Sequence, residues 1–246
     1  MKILGIDTTA KTATAAIVED GRLIAITVLN TPNTHSVTLL PMIDGLLKSA
    51  GLTLNDIDVF SCSVGPGSFT GVRIGTSAIK GLAYANGKPC VGVSSLEALA
   101  MNVTAEDGII CPVMDARRGQ LYNALFELKA GELCRLTPDS LDGVSDVLAA
   151  LAESGKRVYV TGDGIERVTE ADSGIDVKRP HEVLCYQNAY NVAVLAGKIY
   201  SAATEEQRAE LTAEKLAPLY LRASQAERER LERIEKEKTT TEKDGK

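Results

Sequence analysis

Asp7, Thr8 and Thr9 close the first apolar run of the chain, KILGIDTT. A carboxylate and two hydroxyls at a strand end can meet the phosphates of a nucleotide if the backbone leaves room. Loops that do so carry glycine near the acid, whereas Thr8, Thr9, Ala10 and Lys11 fill this turn. A second candidate is the Gly65-Pro66-Gly67 turn, where Gly67 to Gly71 could present backbone N–H groups to an anion. A tight strand-to-helix turn explains the same residues, and no G-x-x-x-x-G-K-S/T pattern makes it a P-loop. His35 and His181 are far apart, and no cysteine or acid stands at ligand spacing beside either. A surface or capping role suits both. Ser63 and Ser68 flank the glycine turn with no histidine visibly paired to them, and there is no Gly-x-Ser-x-Gly elbow. The residues therefore offer weak nucleotide binding at Asp7, Thr8, Thr9, Gly65 and Gly67, and neither a catalytic set nor a metal set.

The elements that position these residues can be read in order. Lys2 to Asp7, Thr12 to Glu19 and Arg22 to Leu29 form a three-stranded meander, with Asp20-Gly21 a type I′ hairpin signal. His35 to Ala50 is a helix ended by Gly51, with Pro41 in its first turn or kinking it. Its apolar residues spread beyond one stripe, so two sides are expected to be buried. Asn55 to Val64 reads as a strand, and Thr70 caps a helix that runs to Asn86, where Gly87 and Pro89 stop it. That helix carries Gly71, Gly75 and Gly81, each unfavourable by roughly 1 kcal/mol relative to alanine in a helix interior. Close approach of another backbone, from its own sheet or another chain, offsets the loss. Val91 to Val93 is a short strand, and Ser94 or Ser95 opens the next helix.

The second half repeats the first. Shifted by 108 residues, Ile110 to Glu127 lies over Lys2 to Glu19, with Asp115 on Asp7, Ala124 on Ala16 and Glu127 on Glu19. A strand at Glu132 to Leu136, a helix from Leu141 to Glu153, a strand at Arg157 to Thr161, the Gly162-Asp163-Gly164 loop and a short strand at Ile175 to Lys178 follow. Two tandem βββαβ units predict a two-lobed α/β protein with mixed sheets. The lobes are expected at 1–108, joined by a returning helix at 187–203, and at 109–186. A docked segment at 204–223 and a charged, unstructured tail at 224–246 complete the chain.

Composition excludes several classes. The chain has 246 residues, 44% of them hydrophobic, and a net charge of −6, which argues against this chain alone gripping a nucleic-acid backbone. The five scattered cysteines read as small buried hydrophobes in a reducing compartment. No leader is read before the first strand and no run has the length of a membrane span, so a cytoplasmic location without membrane association is expected.

ILGIDTT, His35-Ser36 with Leu39-Leu40-Pro41, SVGPGSFTGVRIGTSAIKGLA, GKPCVGVSSLEALA, DARRGQLY and PLYLR together resemble the TsaB (YeaZ) family. The resemblance runs from Met1 to about Arg222 and is most specific in SVGPGSFTGVRIG. It implies the actin-like ATPase (ribonuclease H-like) fold. It also implies a non-catalytic partner of TsaD in the machinery that, with the ATPase TsaE, moves threonylcarbamoyl from threonylcarbamoyl-adenylate to N6 of the adenosine beside the anticodon of tRNA. The catalytic paralogue holds a metal with an HxxxH pair. Aligned on Gly87-Lys88-Pro89, those positions here are Ser95 and Leu99, one a poor ligand and one none. In the family the first two helices bundle with those of TsaD or of a second copy. The residues that this places at the partner interface are His35, Leu39, Leu40, Ile43, Leu47, Gly71, Val72, Arg73, Gly75, Ala78, Ile79 and Leu82. No resident cofactor is implied, ATP or ADP could sit only at the partner interface, and tRNA is met only through the complex. The competing reading is a stand-alone actin-like nucleotide-binding phosphotransferase. A peptidase lacks both a metal pair and a nucleophile–base set.

Overall fold

The computed structural model describes residues 1–104, 106–171 and 174–222; the charged segment from Ser224 onward lies outside them. Strands β1 (Lys2–Asp7), β2 (Ala13–Glu19) and β3 (Arg22–Leu29) form the antiparallel meander. Asp20 and Gly21 turn it with φ of 50° and 79°, the left-handed values that a type I′ turn requires. Helix α1 (His35–Ala50) ends on Gly51 at φ 66°. Strand β4 (Val59–Gly65) runs parallel to β1, helix α2 (Phe69–Asn86) follows, and β5 (Cys90–Ser94) pairs with β4. The sheet order is β3-β2-β1-β4-β5. β1 and β4 are buried on both faces, hence their near-continuous apolar sequences. Leu39, Ile43, Leu46 and Leu47 of α1 and Ile79 and Ala83 of α2 cover one face with Leu4, Ile6 and Phe60. Helix α6 (Ala189–Ala202) covers the other through Val192, Ala193 and Ala196 on Ile3, Val59 and Val91.

Helix α3 (Ser95–Ala100) leads to the second lobe. There β6 (Gly108–Asp115) is central, with β7 (Gln120–Asn123) and β8 (Phe126–Lys129) both antiparallel to it. Strands β9 (Glu132–Arg135) and β10 (Ser140–Gly143) edge the sheet. Helix α4 (Val144–Glu153), β11 (Val158–Thr161), helix α5 (Ile165–Glu170) and β12 (Val177–Lys178) complete the lobe. The repeat is offset in one respect. Asp7 pairs with Thr14, leaving six residues between them, but Asp115 pairs with Leu121, leaving five. Asn123, not Ala124, therefore occupies the place of Ala16, opposite Val113 as Ala16 is opposite Gly5. Sequence superposition at 108 residues is right for the first strand and one residue out for the second.

Other boundaries differ for local reasons. Leu54–Asp56 is a 3-10 turn, not the start of β4, because Thr53 and Asp56 cap it reciprocally, Asp56 accepting from Thr53 N at 2.8 Å and from its Oγ1 at 2.7 Å. Ser68, not Thr70, caps α2, its Oγ accepting from Gly71 N at 3.3 Å. Leu141–Gly143 pairs with β7 before α4 begins. Pro41 lies inside α1 rather than in its first turn. Helix α5 follows the Gly162-Asp163-Gly164 loop over residues to which the sequence reading assigned no element. Cys62, Cys90, Cys111 and Cys185 are buried and unpaired, and Cys134 is exposed. Burial pushes the Cys90 and Cys111 thiols up to about 12, so neither is a reactive thiolate.

The lobes are tied at three places. Asn102 donates to the Leu184 and Tyr186 carbonyls at 3.0 and 2.7 Å and accepts from Asn188 and Asn191 at 3.1 and 2.8 Å. Arg135 bridges Glu97 and Asp139 while lying over the Phe126 ring. The segment 211–222 forms a strap after helix α7 (Glu205–Ala209). Along it Leu211 O accepts from Cys90 N, Leu219 N donates to Val64 O at 2.7 Å, and Arg222 donates to Ala116 O of the second lobe at 3.1 Å.

Candidate functional site: an interlobe cleft and a two-helix face

The ends of β1 and β6 meet across a cleft of about 690 Å³. Asp7 does not face it. Its carboxylate is 1% exposed, accepting from Ser63 Oγ at 2.5 Å, Thr9 N at 2.8 Å and Thr9 Oγ1 at 2.7 Å. Burial pushes the Asp7 carboxyl above its ordinary range, and these three hydrogen bonds pull it back. The side chain folds the turn over itself in an Asx arrangement, with no oxygen left for a ligand. Thr8 is also buried, its Oγ1 donating to Gly71 O at 2.7 Å.

This contact accounts for the glycines of α2. A Cβ on Gly71 would overlap Thr8 O, and one on Gly75 would lie 2.5 Å from Thr8 Oγ1. The close partner is the loop after β1 of the same lobe. Gly65, at φ 119°, turns its α-carbon toward Leu219 O, 2.6 Å from where a Cβ would stand. A Cβ on Gly67 would lie 2.5 Å from Thr9 O, which also accepts from Ser68 N at 2.7 Å. Of the five residues suggested for nucleotide, only Thr9 and Gly67 line the cleft. The other three are committed to packing.

The cleft is lined instead by residues that the sequence reading did not assign to it, Arg73 having been expected at the partner interface. Lys11 comes from the loop after β1, Arg73 from α2, Arg117 from the loop after β6, and Tyr220 and Arg222 from the strap. Phe69 stacks on Tyr220 with ring centroids 4.8 Å apart, and the Arg73 guanidinium lies 4.7 Å from the Phe69 centroid. Asp115 receives Arg117 N at 2.7 Å and pairs with Arg167 at 3.2 Å. Asp163 accepts from Asp115 N at 3.1 Å. Burial pushes the Asp163 carboxyl up; that hydrogen bond opposes the rise, the Asp115 charge adds to it and Lys11 opposes it. Arg117 and Arg118 hold φ of 63° and 56°, a left-handed conformation unfavourable by about 1–2 kcal/mol for each non-glycine residue. The Arg-Arg-Gly triplet was the available signal, but its backbone shape is not legible from residue types.

The second candidate is the outer face of α1 and α2. Of the residues expected at a partner interface, Leu39, Ile43, Leu47, Val72 and Ile79 are at most 6% exposed, and Gly71 and Gly75 are covered by Thr8. These seven are committed to the chain's own core, although Ile43 and Leu47 also edge the groove described next. His35 is half-buried and hydrogen-bonds the Ala10 carbonyl through Nε2 at 2.8 Å, pinning α1 to the β1–β2 loop. Ala78 and Leu82 are partly buried, whereas Leu40 and Arg73 are exposed. Val37 and Tyr84 were missed: they are 68% and 74% exposed, and Gly81 has nothing within 4 Å of where its Cβ would stand. Between the helices an apolar groove of about 420 Å³ is lined by Leu40, Leu47, Leu52, Leu54 and Leu82.

Residues 29–231 match the family model described as TsaD: tRNA N6-adenosine threonylcarbamoyltransferase. The tRNA threonylcarbamoyladenosine biosynthesis protein TsaB of Bacillus subtilis (strain 168) is 38% identical over 162 residues, which span 66% of this chain and 71% of that protein. The chain belongs to the TsaB (YeaZ) family. The TsaB of Escherichia coli (strain K12) is 37% identical over 129 residues, so the chain spans about half the length of that relative (55%). The solved YeaZ from Pseudomonas aeruginosa superposes with a TM-score of 0.76 at 27% identity, covering 89% of this chain and 99% of the other. The two-lobed architecture is thus the actin-like fold in its TsaB form. At the two positions aligned with a metal pair in the paralogue, Ser95 Oγ is buried and donates to Pro66 O, and Leu99 packs with Ile110, Met114 and Phe126. Both side chains are interior. No helix among the described residues is long and apolar enough to cross a membrane.

Proposed function

We propose that this chain is the non-catalytic assembly subunit of a complex that transfers threonylcarbamoyl to N6 of adenosine in tRNA. It docks on a TsaD-like catalytic subunit through the outer face of α1 and α2, and this docked pair is what a TsaE-like ATPase recognises. The observation that carries the reading is the unpartnered apolar face. Val37, Leu40 and Tyr84 are exposed apolar side chains on these two helices, and Leu40 lines a groove with Leu47, Leu52, Leu54 and Leu82. Exposed apolar side chains beside an apolar groove mark an interaction surface, and small residues such as Gly81 let a facing helix approach. The interior placement of Ser95 and Leu99 leaves no ligand pair where the paralogue holds metal, in keeping with a subunit that assembles rather than catalyses.

Reconstitution tests this. Threonylcarbamoyl transfer to tRNA is measured with a TsaD-type and a TsaE-type protein, with and without this chain, while complex size is followed in the same samples. Activity that needs this chain, and that Leu40→Asp with Tyr84→Ala abolishes together with the complex but without lowering Tm, is the expected result. Full activity and association with that double variant would remove the helix face from the reading. Phosphoryl transfer by the chain alone would favour the stand-alone phosphotransferase, which the sealed Asp7 disfavours.

A further inference from the structure

We propose that the outer edge of β3 is a self-association surface, on which a second copy of this chain lays its own β3 antiparallel to make one continuous sheet. β3 is the edge of the first lobe's sheet, so the backbone groups along its outer side have no neighbouring strand. Leu23, Ile24, Ile26 and Val28 stand on it, each between 38% and 48% exposed, the densest run of exposed large apolar side chains among the described residues. Ile26 lies opposite Ala16, Ala16 lies opposite Gly5, and a Cβ on Gly5 would meet Ala189 and Ala193. The strip therefore lies on the α6 side of the sheet, past the margin of the cover that α6 provides.

Edge strands that stay single are short, or carry lysine, proline or an inward-pointing charge. β3 has eight residues, above the usual length of about 5–6. From Leu23 to Leu29 it has neither a charged residue nor a proline. Its one irregularity is a bulge opposite Ile17 and Val18, which leaves Ala25 to Leu29 regularly paired on the inner side. Charge names the occupant. Arg22, at one end of the strip, takes part in none of the ion pairs among the described residues. Its acidic neighbours are taken, Glu19 by Lys2 at 2.8 Å and Asp20 by the Met1 amino group at 2.7 Å. At the other end the Tyr186 hydroxyl lies against the Asn30 side chain and donates to Glu182 at 2.6 Å. Glu182 is likewise in none of those ion pairs.

The strip thus has a spare cation at one end, a spare carboxylate at the other and neutral apolar residues between. Antiparallel pairing about a two-fold axis matches that pattern to itself, because the Arg22 end of each copy meets the Glu182 end of the other. A parallel copy would put like charges together. The same residues fix the register. Outward-facing backbone groups meet outward-facing ones only when the axis passes through a residue rather than between two. An axis at Ala25 sets Val28 against Arg22, and one at Thr27 sets Ile24 against Asn30. At Ile26 that residue meets itself and Val28 meets Ile24, so β-branched side chains oppose β-branched ones. One pair of strands is a small interface, so association is weak and concentration-dependent. The strip shares no residue with the α1–α2 face, so this dimer and docking by the helices can each fail without the other.

Analytical ultracentrifugation of the full chain over a range of concentrations tests the proposal, and a monomer–dimer equilibrium is expected. Ile26→Lys sets two like charges on the axis and should weaken the dimer by about tenfold or more. The Tm of its monomer should change little, because the side chain is exposed. Arg22→Glu should also weaken the dimer, and Arg22→Glu with Glu182→Arg should restore it. Leu40→Asp with Tyr84→Ala, on the helix face, should dimerise as the parent does. Cross-linking reads the register in a Cys134→Ser background, which removes the exposed cysteine. There Ile26→Cys should form a disulfide-linked dimer under mild oxidation, since opposed residues of antiparallel strands lie within disulfide reach. Thr27→Cys, opposed by Ala25, should not. A monomer at every concentration, a dimer that survives Ile26→Lys, a dimer lost in the helix-face variant, no rescue by the charge exchange, or equal cross-linking at positions 26 and 27 would each overturn the proposal.

Discussion

Gly75→Ala tests whether the glycines of α2 exist for the chain's own loop. In an isolated helix the change is favourable by about 1 kcal/mol. Here the new Cβ stands 2.5 Å from Thr8 Oγ1, an atom that cannot move freely because Thr8 is 2% exposed and donates to Gly71 O at 2.7 Å. Relief means either pushing the loop, an overpacking penalty of about 1–3 kcal/mol, or rotating Thr8 and losing a buried hydrogen bond worth about 1 kcal/mol. Set against the propensity gain, the net change runs from none to a loss of about 2 kcal/mol, a fall in Tm of at most about 8 °C for a chain of this size. Gly81→Ala on the same helix has nothing within 4 Å of its Cβ and should raise Tm by about 2–4 °C. Thr8→Ala in the Gly75→Ala background removes the clashing atom, so the double-mutant cycle should show a favourable coupling of about 1 kcal/mol or more. Thermal and urea unfolding of wild type, Gly75→Ala, Gly81→Ala, Thr8→Ala and the Thr8→Ala/Gly75→Ala pair reads all of this. If Gly75→Ala stabilises as much as Gly81→Ala does, the close approach to Thr8 is not what the glycine serves.

Three further outcomes follow from other contacts. Leu99→Ala, at a side chain 1% exposed between the lobes, should cost about 2–5 kcal/mol in urea unfolding, as a buried leucine truncation does; a cost under 1 kcal/mol would mean that the interlobe core collapses around the gap. Asn102→Ala strands the Tyr186 carbonyl and the Asn188 amide, whereas Leu184 O keeps Thr161 Oγ1 and Asn191 Nδ2 keeps Ala98 O, so it should cost about 2–4 kcal/mol in urea unfolding; a cost under 1 kcal/mol would mean that the junction rearranges to satisfy both groups. Asp7→Asn concerns pH. Because burial raises the Asp7 carboxyl above its ordinary 3.8 in the folded chain, the fold holds that proton more tightly than the unfolded chain does. Wild-type stability therefore falls as pH rises from 3.8 through the folded pKa. Asparagine keeps an acceptor for Thr9 and has no proton to lose, so the stability of Asp7→Asn relative to wild type should increase across that window; a difference that is flat or declines with pH would refute the assignment.

Much of the fold is written in local chemistry. Asp20-Gly21, Gly51 and Gly87 each sit at a left-handed position that only a turn or helix end needs, and the structure places them there. The aliphatic runs of β1 and β4 announce strands covered on both sides. What the sequence hides is non-local or conformational. Arg117 and Arg118 adopt left-handed φ without being glycine or asparagine, which shortens the second hairpin loop and shifts its strand by one residue against the first repeat. The strand that should match β2 breaks at Ala124 and Leu125, where Thr137 Oγ1 accepts from Leu125 N at 2.8 Å, a partner twelve residues away. Tyr220 and Arg222 reach the cleft only because the strap crosses from one lobe to the other, and no periodicity signals such a path. The small face of α2 was legible as close packing, but composition alone could not say whether the neighbour was a loop or another chain.

The three ties between the lobes bear on how such a fold can serve assembly. Two-lobed proteins that work on nucleotides need one lobe to move against the other, and a hinge must absorb that motion. Here Asn102 collects four hydrogen bonds from both sides of the junction, Arg135 joins α3 to β9 and to Asp139, and the strap runs from Cys90 to Ala116. Moving the lobes would break the buried Asn191–Asn102 hydrogen bond and the partly buried ones beside it, a loss of about 1–3 kcal/mol for each group left unsatisfied. Asp7 turned inward and the Thr8–Gly71 contact fix α2 to β1 in the same way. A chain locked at these points presents α1 and α2 at one angle whatever occupies its cleft. That constancy is what a docking platform needs, because a rigid surface meets its partner without first being ordered.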